Sequence, residues 1–339
     1  MQTKPQALVV MDRQSFDAHF DAARLERLAS LVELGDPVWT GDLDSPSVRA
    51  RLTDVEVMLT SWGAPRLTSE RLAAAPALKA VLHCAGSVRG LVGDEVWRRG
   101  IRVTSGADAN ATPVAEYTLA AIIFAGKKAP FLAADELRAY EGWGTVTGYG
   151  DLSNFRRTVG VVGFSRIGRK VVELLKVLGD TTCLVADPYA DPAEVDRAGA
   201  TLVDLADMLP RVDVLTLHAP ELPETRNLIG AAELSMLPDS ATVINTARGS
   251  LIDSDALAAE CAAGRLFAIL DVTEPEPLPA GSPLRRLARV MITPHVAGSL
   301  GSEIGRLTDH AMDELARWSA RQPLRAEITA ENWALGLSA

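Results

Sequence analysis

Three side chains in the second half of the chain are of the types needed for acid–base chemistry on an anionic substrate: Arg248, Glu276 and His295. His295, in Thr293-Pro294-His295, is the residue type best suited to take and return a proton near neutral pH. Glu276 lies between prolines in Glu274-Pro275-Glu276-Pro277. A carboxylate there, facing the histidine, would orient the ring and favour its protonated form. Arg248, in Asn245-Thr246-Ala247-Arg248-Gly249, offers a planar fork to a carboxylate. Alone, such a histidine is more often structural; as a solvated surface charge the arginine would mean nothing, but surface arginines seldom sit between a buried apolar strand and a glycine. Together they make an anchor, a proton carrier and its tuner.

A second constellation suits phosphate. Gly163-Phe164-Ser165-Arg166-Ile167-Gly168 approaches the pattern G-x-G-x-x-G. Its first glycine makes a tight turn, its second lets backbone approach a pyrophosphate, and its third packs helix on strand. Ser165 breaks the strict pattern: it adds a Cβ where space is tight, but also a hydroxyl able to donate to a phosphate oxygen. By itself the segment is weak evidence, and a plain strand–helix turn is the alternative. Asp187 follows 24 residues after Gly163, where a carboxylate accepts from ribose hydroxyls and repels a 2′-phosphate. No arginine follows it in the loop, which favours NAD over NADP. A surface aspartate before a proline is the plainer alternative.

These residues need elements to place them. Strands are predicted at Thr158–Val162, Thr182–Ala186, Val212–Leu217, Ala241–Ile244, Leu266–Leu270 and Val290–Thr293, each followed by a loop and a helical stretch. In an open α/β sheet, ligands bind at the carboxyl ends of the strands. Here those ends run into Gly163, Asp187, His218, Asn245, Asp271 and Pro294-His295. Polar or glycine punctuation at every one of these ends is harder to obtain by chance than any single motif.

The first hundred residues also alternate. Strands are expected at Leu8–Met11, Val55–Thr60, Leu78–Cys84 and Arg102–Ser105, with helices at Ser15–Leu34, Ser69–Ala75 and Asp94–Arg98. A parallel α/β unit follows from this pattern. Thr112 and Pro113 read as N-cap and first residue of a helix reaching Phe124. Arg138–Asn154, with Trp143, is irregular and is expected to be a surface excursion or subunit contact. Gly301–Arg321 reads as one amphipathic helix with no strand after it, packing on the first domain.

A chain of 339 residues suggests two domains. With 34 Lys+Arg against 44 Asp+Glu and a net charge of −10, it lacks the electrostatic footprint of a nucleic-acid binder. Cys84, Cys183 and Cys261 are too scattered for a disulfide scaffold or zinc site, so no metal is expected and a reducing cytoplasm fits. Neither a signal-peptide core nor a membrane-spanning run is evident.

The residues resemble the D-isomer-specific 2-hydroxyacid dehydrogenases. The matching stretches are Asn110–Glu116, Val159–Gly168, Leu217–Pro220 with Thr225, Asn245–Gly249, Asp271–Pro277 and Thr293–Gly298, in the family's order and spacing. The resemblance implies two doubly wound parallel-sheet domains. A Rossmann NAD-binding domain (108–299), carrying a homodimer contact near Arg138–Asn154, is inserted into a flavodoxin-like substrate domain (1–107 plus 300–339). It implies Arg248, Glu276 and His295 as catalytic residues. Cofactor contacts would come from Gly163, Ser165, Arg166, Ile167, Gly168, Asp187, His218, Ala219, Pro220, Thr225, Thr246, Ala247, Arg248, Asp271, His295 and Gly298, with Asp271 near the nicotinamide carboxamide. The implied reaction is hydride transfer between C4 of NAD(H) and C2 of a small 2-oxo or 2-hydroxy acid.

Two departures from the family pattern stand out. One is Ser165. The other is Ala85-Gly86-Ser87-Val88-Arg89, where the family presents backbone amides to the substrate carboxylate and then an aspartate. Arg89 stands there instead, so Trp62, Ser87, Val88 and Arg89 are candidate substrate contacts, with Arg89 or Trp62 favouring a second anionic group. The alternative is that Arg89 is paired on the surface. Two rival readings are a catalytically silent NAD(H) sensor or corepressor on the same fold and, more distantly, a serine hydrolase using Ser299 in Ala297-Gly298-Ser299-Leu300-Gly301.

Overall fold

A computed structural model describes residues 4–139, 146 and 148–334. The chain divides into two compact units, Met1–Asn110 with Ser299–Ala339, and Ala111–Gly298. The first contributes strands β1 (Gln6–Val10), β2 (Glu33–Thr40), β3 (Val57–Thr60), β4 (Ala80–His83) and β5 (Arg102–Ser105). The second contributes β6 (Thr158–Val162), β7 (Thr182–Ala186), β8 (Thr201–Leu202), β9 (Val214–Leu217), β10 (Thr242–Asn245), β11 (Phe267–Leu270) and β12 (Val290–Ile292). β13 (Glu327–Ile328) then returns to the first unit.

In the second unit the order is β8-β7-β6-β9-β10-β11-β12, parallel throughout. This is the doubly wound arrangement, with its order reversing between β6 and β9. β9, β10 and β11 are buried along their whole length, as strands are when helices cover both faces of a parallel sheet. One face packs through Leu215, Leu217, Val243, Leu257 and Leu266. The other packs through Val159, Val161, Val171, Val185 and Phe267.

The first unit has the order β2-β1-β3-β4-β5, parallel, with β13 added antiparallel to β5. This is the flavodoxin-like order, reversing between β1 and β3. Within this unit the helix Ile304–Ser319 lies against the two N-terminal helices. Arg24 pairs with Asp309 at 3.1 Å, Arg27 with Asp313 at 2.5 Å, and His19 Nδ1 meets Thr308 Oγ1 at 2.7 Å.

Several expectations are corrected. Ser15–Leu34 is two helices, Arg13–His19 and Ala22–Leu31, because Asp21 stops the first and caps the second by accepting from the Arg24 amide. β2 carries Gly35, Asp36 and Pro37, residues strands avoid, and is tolerated at a sheet edge. Pro113 does not open a helix. It lies inside Ala107–Lys127, since the alanine-rich run before it carries the helix back and only the bond to the Ala109 carbonyl is lost. A strand does follow the tail helix: β13, whose two residues are too few to give a periodic signal. Of the irregular Arg138–Asn154 stretch, Arg138 and Ala139 end the helix Ala129–Ala139, and Trp143 lies outside the described residues.

One buried charge marks the start of β10. Lys128 has φ 51° and is 5% exposed, and its ammonium donates to Ser240 O and Thr242 Oγ1, both at 2.7 Å. It lies 4.3 Å from the Phe267 ring centroid. Burial, aided by Arg157 and Arg289, pushes its pKa down to about 7. Among the described residues no helix is long and apolar enough to cross a membrane, and no cluster of His, Cys, Asp and Glu could hold a metal ion.

Candidate active site

At the β6 end, the Gly163 amide donates to Ala186 O at 2.9 Å with φ +94°. A Cβ on Gly163 would lie 2.7 Å from Ala219 N and His218 C. The glycine is therefore required where β6 and β9 diverge, at the reversal point of the sheet. Gly168 is needed as well, for a Cβ there would stand 2.0 Å from Gly163 O. Ser165 precedes the helix Arg166–Leu175 and is exposed. Asp187, at the end of β7, accepts from Phe164 N at 2.7 Å through one oxygen and from Tyr189 N at 2.9 Å through the other. Each carboxylate oxygen keeps a lone pair for a hydroxyl.

His218 is buried at the end of β9, with Nε2 3.0 Å from Thr216 Oγ1. Burial lowers its pKa to about 3, so the ring is neutral. Ala219 is also buried. Thr225 donates to Pro220 O at 2.7 Å and accepts from Leu222 N at 2.9 Å. Its hydroxyl thus shapes the Pro220–Leu222 loop rather than standing free.

The turn after β10 is clamped by Asn245. Its Oδ1 accepts from Ala247 N at 3.0 Å and its Nδ2 donates to Arg248 O at 2.8 Å. Thr246 Oγ1 meets Thr118 Oγ1 at 3.1 Å. Arg248 emerges from this turn half-exposed, donating to Ala247 O at 2.7 Å and lying 3.9 Å from Glu221. Glu221, which also accepts from Ser250 at 2.8 Å, was not anticipated. Its only signal in the sequence is its place beside Pro220 at a strand end.

The loops after β11 and β12 bring Glu276 and His295 together, with Nδ1 2.8 Å from Glu276 Oε1. A carboxylate accepts, so Nδ1 carries the hydrogen and Nε2 is the nitrogen left for a substrate. Both side chains are about half exposed, 52% and 43%. His295 has φ 54°, and its amide donates to Asp271 O. The Asp271 carboxylate accepts from Thr293 Oγ1, Val296 N and Ala297 N at 2.6, 2.8 and 2.9 Å. Gly298 is the last residue of this unit. Gly249 joins the Arg248 turn to the Glu276 loop, for a Cβ on it would lie 2.0 Å from the Thr273 carbonyl carbon. Arg248, Glu276 and His295 thus stand at the carboxyl ends of three adjacent strands, β10, β11 and β12. Beside Glu276 lies a cleft of about 630 Å³, lined among others by Asp271, Leu278, Arg285 and Thr293.

The remaining candidates belong to the first unit. Trp62 follows β3 at the β1/β3 reversal, 42% exposed, its ring 5.5 Å from that of His19. Ser87 Oγ accepts from the Arg89 amide at 3.4 Å. Val88 is wholly buried in the core, so its side chain is not offered to a ligand. Arg89 is exposed, and among the described residues its guanidinium has no ion pair. The Ser299 hydroxyl is buried without a hydrogen-bond partner, so no base activates it as a nucleophile.

Comparison with known proteins agrees with this geometry. Residues 129–297 match the D-isomer specific 2-hydroxyacid dehydrogenase, NAD binding domain family. The second unit is therefore a nicotinamide-cofactor domain, and the close-packed glycines 163 and 168 and the acceptor Asp187 fit such a group. D-3-phosphoglycerate dehydrogenase of Mycobacterium tuberculosis is 33% identical over 304 residues, 88% of this chain and 56% of that one. The chain thus spans about half the length of that relative. Glyoxylate reductase of Aeropyrum pernix is 30% identical over 262 residues, 75% of this chain and 77% of the reductase. A protein of Thermus thermophilus, of known crystal structure, superposes with a TM-score of 0.74 at 26% identity, covering 96% of this chain and 100% of the other. The chain belongs to the D-isomer specific 2-hydroxyacid dehydrogenase family.

Proposed function

We propose that this protein is an NAD-dependent oxidoreductase that interconverts a small D-2-hydroxy acid and the corresponding 2-oxo acid. The observation that carries the reading is the 2.8 Å contact of His295 Nδ1 with Glu276, in the same unit as the Gly163–Gly168 turn and Arg248. A bound nicotinamide supplies the hydride donor or acceptor at C4. Gly163 and the amides opening the helix Arg166–Leu175 hold the pyrophosphate, and Asp187 accepts from the ribose. Arg248 grips the substrate carboxylate with its guanidinium fork. His295 gives the C2 oxygen its proton in reduction and takes it back in oxidation. Glu276 fixes the ring so that Nε2 is the atom exchanging that proton.

The acidic loop Asp187-Pro188-Tyr189-Ala190-Asp191 favours NAD over NADP. The first unit is the substrate domain, and Arg89, which makes no ion pair among the described residues, favours an acid with a second anionic group. Exposed Phe124 and Phe155, 52% and 60%, support a homodimer formed through the cofactor domain. The three buried, free cysteines suit the cytoplasm. A panel of glyoxylate, hydroxypyruvate and 2-oxoglutarate, run with NADH and NADPH in parallel, tests the reading. Turnover with NADH on at least one acid is expected, and absence of turnover with either nucleotide contradicts it.

A further inference from the structure

The turn that carries His295 is held by hydrogen bonds outside the acid–base pair. Tyr117, on the helix Ala107–Lys127, places its hydroxyl 2.7 Å from Thr293 Oγ1, and that oxygen lies 2.6 Å from Asp271 Oδ1. The proton count sets the direction. A threonine hydroxyl has one hydrogen, and Thr293 donates it to Asp271, which also accepts from Val296 N and Ala297 N. The hydrogen between Tyr117 and Thr293 must then come from the phenol. Burial raises the Tyr117 pKa, which keeps the phenol a donor. Each bond in such a line polarises the next.

His295 itself adopts φ 54°, a left-handed backbone that a histidine holds only where its surroundings over-determine it. Here they do. Its amide donates to Asp271 O at 2.9 Å and to Thr293 O at 3.0 Å, and the next two amides donate to the Asp271 carboxylate. Asp271 and Thr293 therefore bind the backbone at and beyond His295, and Tyr117 is the outermost member of the set.

We propose that Tyr117 and Thr293 are positioning residues for His295, locking through Asp271 the left-handed turn in which the imidazole meets Glu276. The inference rests on His295 being the proton carrier. It adds two residues that touch neither substrate nor nicotinamide in this scheme.

The test compares Thr293→Val, Thr293→Ser and Tyr117→Phe in the full chain, with two readouts. The first is NADH-dependent turnover beside the NADH dissociation constant. Thr293→Val breaks the line and is expected to lower kcat by about tenfold to a hundredfold, the scale of an ångström-sized misplacement, with NADH affinity unchanged. Tyr117→Phe should fall between it and wild type, and Thr293→Ser should restore kcat. The second readout needs no turnover: the Nδ1–H proton resonance of His295, assigned by its loss in His295→Ala. It should broaden or vanish in Thr293→Val and persist in Thr293→Ser. A Thr293→Val protein with wild-type kcat and an intact resonance overturns the proposal. So does a loss of kcat matched by an equal loss of NADH affinity, which would make the line a support of the cofactor site. If wild type reduces no 2-oxo acid, the proposed function fails, while the resonance still decides whether Thr293 positions His295.

Discussion

Gly249 offers a sharp perturbation because its neighbours are backbone atoms. A Cβ added there would sit 2.0 Å from the Thr273 carbonyl carbon, 2.1 Å from its oxygen and 2.5 Å from Glu274 N. These are backbone atoms, and no rotamer change relieves the contact. Ordinary van der Waals contact starts at 3.4 Å, so in Gly249→Ala the two loops must part by more than an ångström. One loop begins at Arg248 and the other leads to Glu276, so the separation displaces Arg248 from the partner of His295. Misplacement on that scale costs about a hundredfold in rate, and overpacking costs about 1–3 kcal/mol of stability. Gly281→Ala is the control, since nothing lies within 4 Å of its added Cβ. The assay is NADH-linked reduction of the best acid of the panel, with calorimetric Tm for both variants. If Gly249→Ala kept kcat within about twofold of wild type, a change of only a few tenths of a kcal/mol in the barrier, at an unchanged Tm, the coupling of the two loops would be refuted.

Gly163→Ala should weaken NADH by at least about tenfold, or ~1.4 kcal/mol, because φ is +94° and the new Cβ strikes the His218–Ala219 peptide; fluorescence titration reads this, and unchanged affinity contradicts it. Ser165→Gly should leave NADH affinity within about tenfold, because the Ser165 side chain is exposed; larger tightening would make the serine a handicap. Lys128, lowered from 10.5 to about 7 in the folded state, binds a proton in the unfolded chain that the fold lacks between those values. Its contribution to stability therefore rises with pH across that window, by at most ~1.4 kcal/mol per pH unit. Urea unfolding at pH 7.5 and 9.5 should show a steeper gain in wild type than in Lys128→Met, and equal gains would contradict the assignment. Arg89→Ala should lower kcat/KM for 2-oxoglutarate more than for glyoxylate, whereas an unchanged ratio would remove Arg89 from substrate selection.

The strand ends were legible in the sequence because parallel strands buried on both faces are apolar runs cut off by polar punctuation. Asp187, Asn245, Asp271 and His295 each follow such a run. The pairing of His295 with Glu276 was foreseen from two adjacent strand ends and the prolines beside Glu276. What escaped had no local signature. β2 hides behind Gly35, Asp36 and Pro37, and β13 is two residues long. Pro113 suggested a helix start, yet the run from Ala107 outweighs one lost hydrogen bond. The links from Tyr117 to Thr293 and from Arg248 to Glu221 join residues 176 and 27 positions apart, and only the packed sheet brings them together. Trp62 and Arg89 were read from their loops. The exposure of both and the burial of Val88 between them emerge only with the fold.

In the proposed reaction, hydride passes between nicotinamide C4 and substrate C2 while His295 carries the proton. The most direct measurement follows the label from NADH carrying deuterium at both C4 positions during reduction of hydroxypyruvate, with mass and configuration of the product determined. One deuterium at C2 of D-glycerate per NADH oxidised is expected, with loss of this transfer in His295→Ala while NADH still binds. A wild-type protein that binds NADH yet places no deuterium at C2 of any acid in the panel would contradict it.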